Sequence, residues 1–354
     1  AMAETLALCV SCKACKRECP TGVDMAAMKI EMTALRTKGK GLSFQDRLIS
    51  YLPDYAPFAA RFASVANLRD KIPGLARLSS YVTGFTAKRP LPRWRRDWFR
   101  DTEIDQMPSG TKPVILFIDT FNRYFEPDNL RSALRVLEHA GYSVFAPMPE
   151  TSSSRALCCG KTHLATGNME KARQSATRLV ETYAPFAQAG IPIVGLEPSC
   201  LFALKDEVPS LLKTEAARSV AQSAMTFEEL LSKDAAHLRL KPLKAKALLH
   251  GHCHQKAYGV MGPVETVLNM IEGLEVSTIE TSCCGMAGAF GYGRDTYEVS
   301  QKMAEADLLP AVRNATGQTI LIADGTSCRS QIKDGAARNA IHVARFLDQQ
   351  LQDP

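Results

Sequence analysis

Cysteine residues carry most of the chemistry that this 354-residue sequence could perform. The first four lie in CVSCKACKRECP, a C-x2-C-x2-C-x3-C-P run formed by Cys9, Cys12, Cys15 and Cys19. Thiolates three residues apart on a tight loop can reach adjacent corners of one [4Fe-4S] cluster. The fourth cysteine follows a longer step and precedes Pro20, an arrangement in which it commonly serves a second cluster. The run therefore predicts a [4Fe-4S] site for one-electron transfer.

Only one ferredoxin-type run is present, although a two-cluster fold uses two of them. Either Cys19 closes a single cluster, or the other run lies on an upstream segment or on a partner. The chain begins Ala1-Met2, very close to Cys9, so we expect a fragment whose upstream segment supplies the missing run. A zinc knuckle or free thiols are the alternatives to a cluster.

A second cysteine motif, Cys-Cys-Gly, occurs twice, at residues 158–160 and 283–285. Each copy precedes a helical pattern, then an apolar run, then a cysteine preceded by serine. The step is 41 residues from Cys159 to Cys200 and 44 residues from Cys284 to Cys328. Such a repeat predicts two related half-domains.

Strands and helices alternate in both halves as β-α-β-α-β. Apolar runs such as VILFIDT and TILIAD are typical of buried parallel strands. The prediction is an α/β fold with duplicated parallel sheets and right-handed crossovers, preceded by a partial ferredoxin-like motif and a helical connector. The predicted segments are the ferredoxin-type segment 1–30, the connector 31–111, and the half-domains 112–235 and 236–354. The cysteines then fall at the carboxyl ends of strands, where such sheets bind ligands.

The second half contains a complete set of four thiols, which could hold an iron-sulfur cluster or zinc: Cys253, Cys283, Cys284 and Cys328. Adjacent cysteines bind one tetrahedral ion only with strain but can bind two irons of one cluster, which favours iron-sulfur. Histidines 250, 252 and 254 flank Cys253 and could join as ligands or support them, and His252 is the candidate ligand.

The first half offers an incomplete set, because Thr120 stands where Cys253 stands in the second half. Its candidate ligands are Cys158, Cys159 and Cys200. This half is either degenerate, or has an open coordination position, or recruits another ligand. In both halves the alternative is that the cysteines are small buried residues at crowded strand ends.

Composition excludes several classes of function. Eleven cysteines in a cytosolic-looking chain indicate metal or cluster ligation rather than disulfides. The net charge of +6 is mild and no aromatic-basic motif accompanies it, so we expect no nucleic-acid partner. No apolar run is long enough to span a membrane. GAFGYG lacks the spacing of a dinucleotide loop, and no catalytic triad or carboxylate pair is evident, so no catalytic residue is assigned.

The connector has the pattern of several short amphipathic helices, broken by Pro53, Pro57 and Pro73. It ends in KRPLPRWRRDWFR, which holds Trp94 and Trp98 among six basic residues. This stretch is either a docking surface for a membrane, a partner or another domain, or a linker whose tryptophans pack on the next domain.

The CCG segments resemble the cysteine-rich domain found in heterodisulfide reductase and in the glycolate oxidase iron-sulfur subunit. Together with LCVSCKACKRECPTGVDMAAMKIE, FIDTFNRYFEPDN, HGHCHQKA and CCGMAGAFGY, they are similar to the C-terminal region of large bacterial fused FAD/iron-sulfur D-2-hydroxyacid dehydrogenases, of the D-lactate or D-2-hydroxyglutarate type. The resemblance covers essentially the whole chain but only the last third of that family. In those proteins an FAD-binding oxidase domain and the other ferredoxin run come first.

The resemblance implies an electron-transfer module of an oxidoreductase, inactive alone, that passes electrons from flavin toward a quinone or cytochrome. FAD would belong only to the upstream dehydrogenase domain or to a separate chain. The implied location is the cytoplasm, with at most peripheral contact at the inner face of the cytoplasmic membrane. The alternative is a docking module stabilised by zinc or thiols, without a redox role.

Overall fold

Two parallel β-sheets, one in each half of the chain, form the frame of the computed structural model, which describes residues 2–149, 156–235 and 237–352. Their strands in chain order are β1 Pro113–Phe117, β2 Ser143–Phe145, β3 Ile193–Gly195, β4 Ala224–Thr226, β5 Ala245–Leu249, β6 Leu274–Thr278 and β7 Ile320–Ile322. The strand order is β2-β1-β3-β4 in the first sheet and β6-β5-β7 in the second, and these strands pair in parallel. The predicted α/β fold with duplicated parallel sheets is confirmed. Strand β4 was not predicted, because its sequence AMT lies between two helices without the longer apolar run that marks the other strands.

Helices connect and flank these strands. Before the first strand they are α1 Met2–Ala7, α2 Ala14–Glu18, α3 Met25–Lys40, α4 Phe44–Ser50, α5 Leu52–Arg61, α6 Ala63–Ala66 and α7 Leu75–Thr83. With the first sheet they are α8 Thr120–Tyr124, α9 Pro127–His139, α10 Lys161–Ala165, α11 Met169–Gln188, α12 Pro198–Lys205, α13 Glu207–Leu212, α14 Glu215–Ser223 and α15 Phe227–Lys233. With the second sheet they are α16 Cys253–Ala257, α17 Met261–Leu268, α18 Tyr297–Ala306, α19 Leu308–Asn314, α20 Thr326–Ala336 and α21 Val343–Gln349.

A shared hydrophobic core joins the two sheets. Val114 and Leu116 of β1 belong to one cluster with Leu249 of β5 and Ile322 of β7. The alternate β1 residues face the other way, and Phe117 packs on Tyr183 of α11 with ring centroids 6.2 Å apart. Because successive side chains of a strand point to opposite faces, a strand buried on both faces must be apolar throughout. This arrangement fixes the two half-domains against each other and brings their sheet edges together.

The connector packs on the first half through its tryptophans. Trp94 lies 4.4 Å from Phe125 between ring centroids, and Trp98 belongs to the same apolar cluster. The prediction that Pro57 breaks a helix is wrong, because Pro57 lies inside α5. Trp94 and Trp98 therefore fit the interpretation of this stretch as a linker, because both are partly buried against the first half.

Candidate metal centre

The four thiols predicted for the second half meet at the carboxyl edge of its sheet. Cys253 opens α16 after β5, the Cys283-Cys284 pair follows β6, and Cys328 lies in the first turn of α20 after β7. The side chains contact one another in series, from Cys253 to Cys283, then to Cys284 and to Cys328. The parallel topology therefore collects ligands that lie far apart in the sequence.

His250, which follows β5, adds an imidazole to this thiol group. One ring nitrogen of His250 and the sulfur atoms of Cys284 and Cys328 all lie within 4.8 Å of one another. The side chain is 1% exposed, and neither ring nitrogen has a hydrogen-bond partner among the described residues. Burial lowers the pKa of His250 to about 3, so its ring is neutral and offers a lone pair.

His252, the histidine selected from the sequence, has a different environment. Its Nδ1 accepts the backbone N–H of His254 at 3.1 Å and so caps the N-terminus of α16. The same Nδ1 lies 3.9 Å from the sulfur of Cys253. The sequence alone cannot show which of the three histidines near Cys253 is a metal ligand, because this depends on the direction in which each ring points.

The buried, mutually contacting thiols have raised pKa values. Contact with Cys283 and burial raise the pKa of Cys253 above its ordinary value, and contact with Cys159 and burial do the same for Cys158. A metal ion or cluster would stabilise the thiolates that this crowding otherwise opposes. The donor set, sulfur with one imidazole nitrogen, suits zinc or iron-sulfur.

Each Cys-Cys-Gly turn needs its glycine. Gly285 has φ of 79°, and a Cβ there would lie 2.4 Å from the carbonyl oxygen of Ser300. The Gly285 N–H donates to the sulfur of Cys283 at 3.4 Å, and Gly160, with φ of 78°, donates to Cys158 at the same distance. Glycine therefore permits the left-handed turn and stabilises a negative sulfur in both halves.

The first half repeats this geometry with fewer ligands. Cys158, Cys159 and Cys200 contact one another in series, and the Thr120 hydroxyl contacts Cys158. Thr120 opens α8 as Cys253 opens α16, but Phe117 occupies the position three residues earlier that His250 occupies in the second half. Within the described ranges, the group of three ligand atoms within 4.8 Å of one another lies in the second half.

The ferredoxin-type run forms a loop that leads into α2, on which Cys15 lies. Burial and the charges of Cys253, Cys9 and Cys15 raise the pKa of Cys12, so these thiols lie within electrostatic range of it. Cys15 accepts the backbone N–H of Met25 at 3.3 Å, the kind of N–H to sulfur contact that supports a cluster. The loop therefore fits three corners of a cluster.

Cys19, the fourth thiol of this run, follows the last residue of α2. Its sulfur contacts the Thr21 hydroxyl at 3.1 Å. That hydroxyl and the backbone N–H of Val23 lower the pKa of Cys19 to about 7. These contacts favour the thiolate, the form in which cysteine binds a metal.

A buried ionic network fixes the loop to the seam between the two halves. Lys13, which is 4% exposed, lies 2.9 Å from Asp24 and 2.9 Å from Asp206, and Asp206 also accepts the Tyr258 hydroxyl at 2.7 Å. His254 contacts the Ser11 carbonyl at 3.0 Å. The loop therefore contacts the first half through Asp206 and the second half through α16, beside Cys253.

Comparison with known proteins agrees with this geometry. The family model described as the cysteine-rich domain, CCG, matches residues 120–205 and 247–333. The chain carries two CCG cysteine-rich domains. The resemblance predicted from the repeated Cys-Cys-Gly motif is therefore confirmed, and both matches cover a Cys-Cys-Gly turn and its partner cysteine.

Three of the curated relatives that match this chain are oxidoreductases, or parts of them, by name. The chain is 26% identical over 316 residues to one of the subunits of the anaerobic glycerol-3-phosphate dehydrogenase of Escherichia coli, covering 87% of this chain and 78% of that protein. It is 24% identical to D-2-hydroxyglutarate dehydrogenase of Pantoea ananatis, covering 97% of this chain but 34% of that protein. It is 24% identical to the probable glycolate oxidase iron-sulfur subunit of Bacillus subtilis, covering 97% and 82%. The chain thus spans about a third of the D-2-hydroxyglutarate dehydrogenase.

Proposed function

We propose that this CCG-domain chain is the iron-sulfur electron-transfer module of an FAD-linked D-2-hydroxyacid dehydrogenase, of the D-lactate or D-2-hydroxyglutarate type. In this proposal a flavin domain, upstream or on a separate chain, oxidises the hydroxyacid, and a quinone or cytochrome is the final acceptor. The names of the relatives support the oxidoreductase class and the iron-sulfur chemistry.

The observation that carries the proposal is the proximity of the ferredoxin-type loop to the second-half thiols. Cys12 is near enough to Cys253 for the charge of one thiolate to raise the pKa of the other. Two redox groups held there would lie within a short electron-transfer distance. A docking module without a redox role would not need the two sites beside each other.

The chain's own residues prepare both sites for negatively charged groups. Iron-sulfur clusters, when bound, supply one-electron transfer without proton chemistry. Cys9, Cys12 and Cys15 would hold one group, and the second-half thiols would hold another. Lys256 lies close enough to all four second-half thiols to interact with their charges, and its ammonium donates to the Thr281 carbonyl. Its positive charge offsets the thiolate charges that the site concentrates.

The proposal is tested by the metal and sulfide content of anaerobically prepared protein, before and after reconstitution with iron and sulfide. We expect iron with an equal amount of acid-labile sulfide, and an EPR signal after dithionite reduction. Replacing Cys9, Cys12 and Cys15 together by serine should remove one reducible group and leave the second-half metal. Zinc without sulfide, or a reconstituted protein without a reducible signal, would contradict electron transfer and favour the docking module.

We further propose peripheral contact with an anionic membrane through the connector face, defined as Phe58, Phe62 and Val65 on α5 and α6 with Leu78, Tyr81 and Val82 on α7. These six side chains are 61% to 80% exposed. Phe62 lies four residues after Phe58 and three before Val65, and Tyr81 and Val82 lie three and four residues after Leu78, while Ala56, Ala60 and Ala63 face inward. The described helices include none that is both long and apolar enough to cross a bilayer.

Charge favours a lipid surface as the occupant of the connector face. Residues 35–100 contain fourteen Lys and Arg but only four Asp and no Glu, whereas the whole chain has a net charge of +6. Ten of the fifteen exposed large hydrophobic side chains in the described parts of the chain lie between Met28 and Val82. Apolar residues with surrounding basic residues are the composition of interfacial helices on anionic lipid.

Sedimentation with vesicles tests the connector face. We expect binding to mixed phosphatidylcholine–phosphatidylglycerol vesicles, and weaker binding to phosphatidylcholine alone. Phe58→Ser with Phe62→Ser should weaken binding by about tenfold or more, because each phenylalanine removed is worth more than about 1 kcal/mol of apolar burial. Met270→Ser, an exposed apolar residue of the second half, should leave binding unchanged. If the double variant bound vesicles as strongly as the native chain, the proposed role of the connector face would be contradicted.

A further inference from the structure

His250 has the position and the surroundings of a metal ligand. It lies at the end of β5, where its backbone N–H donates to the Ile322 carbonyl of β7 at 2.8 Å. This bond fixes the backbone of the residue at the carboxyl edge of the sheet, next to the thiols of Cys284 and Cys328. The ligand atoms of the three residues lie within 4.8 Å of one another, a separation that one metal ion can bridge.

The two ring nitrogens of His250 need a partner that the described residues do not provide. Buried polar atoms are almost always paired in folded proteins, and an unpaired one costs about 1–3 kcal/mol. A neutral imidazole satisfies one of the two nitrogens by donating its lone pair to a metal, and its N–H is the other. By contrast, Nδ1 of His252 is already occupied by the N–H of His254.

Close packing around Gly325 accommodates both His252 and Cys328. A Cβ at Gly325 would lie 2.4 Å from Cδ2 and 3.2 Å from Nε2 of His252, and 3.2 Å from the sulfur of Cys328. The ring of His252 therefore also lies near Cys328, but the group of ligand atoms within 4.8 Å of one another contains His250 and not His252. The first half has no imidazole at the matching position, since Phe117 stands three residues before Thr120 as His250 stands three residues before Cys253. The imidazole therefore distinguishes the two half-domains as strongly as the extra cysteine does.

We propose that His250, rather than His252, supplies a nitrogen ligand to the metal centre of the second half, together with Cys284 and Cys328. His252 acts as the N-cap of α16, and Cys253 and Cys283 complete the sulfur donors around the centre. This inference rests on the proposed function only in requiring a metal there, and it holds for iron-sulfur and for zinc.

Two variants separate the roles of the histidines. His250→Leu replaces the ring by an apolar side chain and removes two unpaired buried nitrogens, so the metal-free protein should fold as stably as the native chain. His252→Asn keeps a side chain that caps helices well. We expect His250→Leu to lose second-half metal to a chelator at least about 100-fold more readily, and His252→Asn to retain it.

The direct readout is spectroscopic, on reconstituted full-length chain with histidine-selective ¹⁵N labelling. If the metal is iron, pulsed EPR of the reduced protein should show a histidine nitrogen coupling that disappears in His250→Leu and persists in His252→Asn. If it is zinc, X-ray absorption should show one nitrogen beside sulfur, with the same dependence. A zinc result contradicts electron transfer but supports His250. A coupling that survives in His250→Leu, or a second half with metal but no nitrogen ligand, or one that takes up no metal after reconstitution, would overturn the inference.

Discussion

Cys283→Ser is expected to abolish metal binding in the second half-domain, whereas Cys158→Ser, at the matching position of the first, should leave the metal content unchanged. Cys283 contacts both Cys253 and Cys284, so its loss breaks the series of thiols at its middle. Removing a support of a metal ligand costs about 10- to 100-fold in affinity, and removing a ligand itself should cost at least about 100-fold.

The matched control makes this a test of the site rather than of packing. Both cysteines are buried, and both accept the N–H of the glycine two residues later at 3.4 Å. The two serine variants should therefore suffer similar losses of packing, measured as melting temperature of the metal-free protein. Iron, zinc and sulfide per chain are then compared. Equal metal loss in both variants would mean that the first half binds metal despite Thr120.

Lys13→Met should weaken the packing of the ferredoxin-type loop between the two halves. We expect the free energy of unfolding to fall by about 3 kcal/mol. The Lys13 ammonium lies 2.9 Å from Asp24, 2.9 Å from Asp206 and 3.5 Å from Glu207. Methionine preserves the length of the side chain but leaves three carboxylates together without their buried cation. Amide hydrogen exchange should rise first in the loop, because local opening relieves the repulsion without unfolding the sheets.

Lys16→Met is the control, since Lys16 also contacts Asp206, at 3.0 Å, but is 42% exposed. A solvent-exposed pair of this kind contributes at most about 1 kcal/mol. The Lys13 effect should also depend on pH. Despite its burial, Asp206 has its pKa lowered by Lys13, Tyr258 and Lys16, so its stabilising contribution is present at neutral pH and is lost in acid. The difference in free energy of unfolding between the native chain and Lys13→Met should therefore become smaller below about pH 4. Equal effects of the two substitutions would contradict this account.

Local pattern was sufficient for the fold class and for the four thiols that lie at the carboxyl edge of the second sheet. Runs such as VILF are apolar at every position, which predicts strands buried on both faces, and the spacing of Cys9, Cys12 and Cys15 predicts a loop with converging thiols. The strand-cysteine order alone indicated that Cys253, Cys283, Cys284 and Cys328 would gather at one sheet edge. These features depend on neighbours in sequence, or on the rule that parallel strands end at the same edge.

Contacts between distant segments could not be predicted from the sequence. The local sequence does not distinguish His250 from His252, since each lies within a few residues of Cys253. Only the direction of the rings places His250 beside the thiols and makes His252 the N-cap of a helix. Pro57 was expected to break a helix, yet it lies within α5.

By itself, the sequence determined the two kinds of cysteine motif and the duplicated parallel α/β fold. It also showed that the first half has fewer candidate metal ligands than the second. The tertiary structure decided how those parts are combined. The shared core of β1 and β5 sets the two sheets together, and the pairing of Lys13 with Asp206 holds the ferredoxin-type loop against Cys253. Such choices follow from burial and charge pairing across 100 residues or more, which no short pattern encodes.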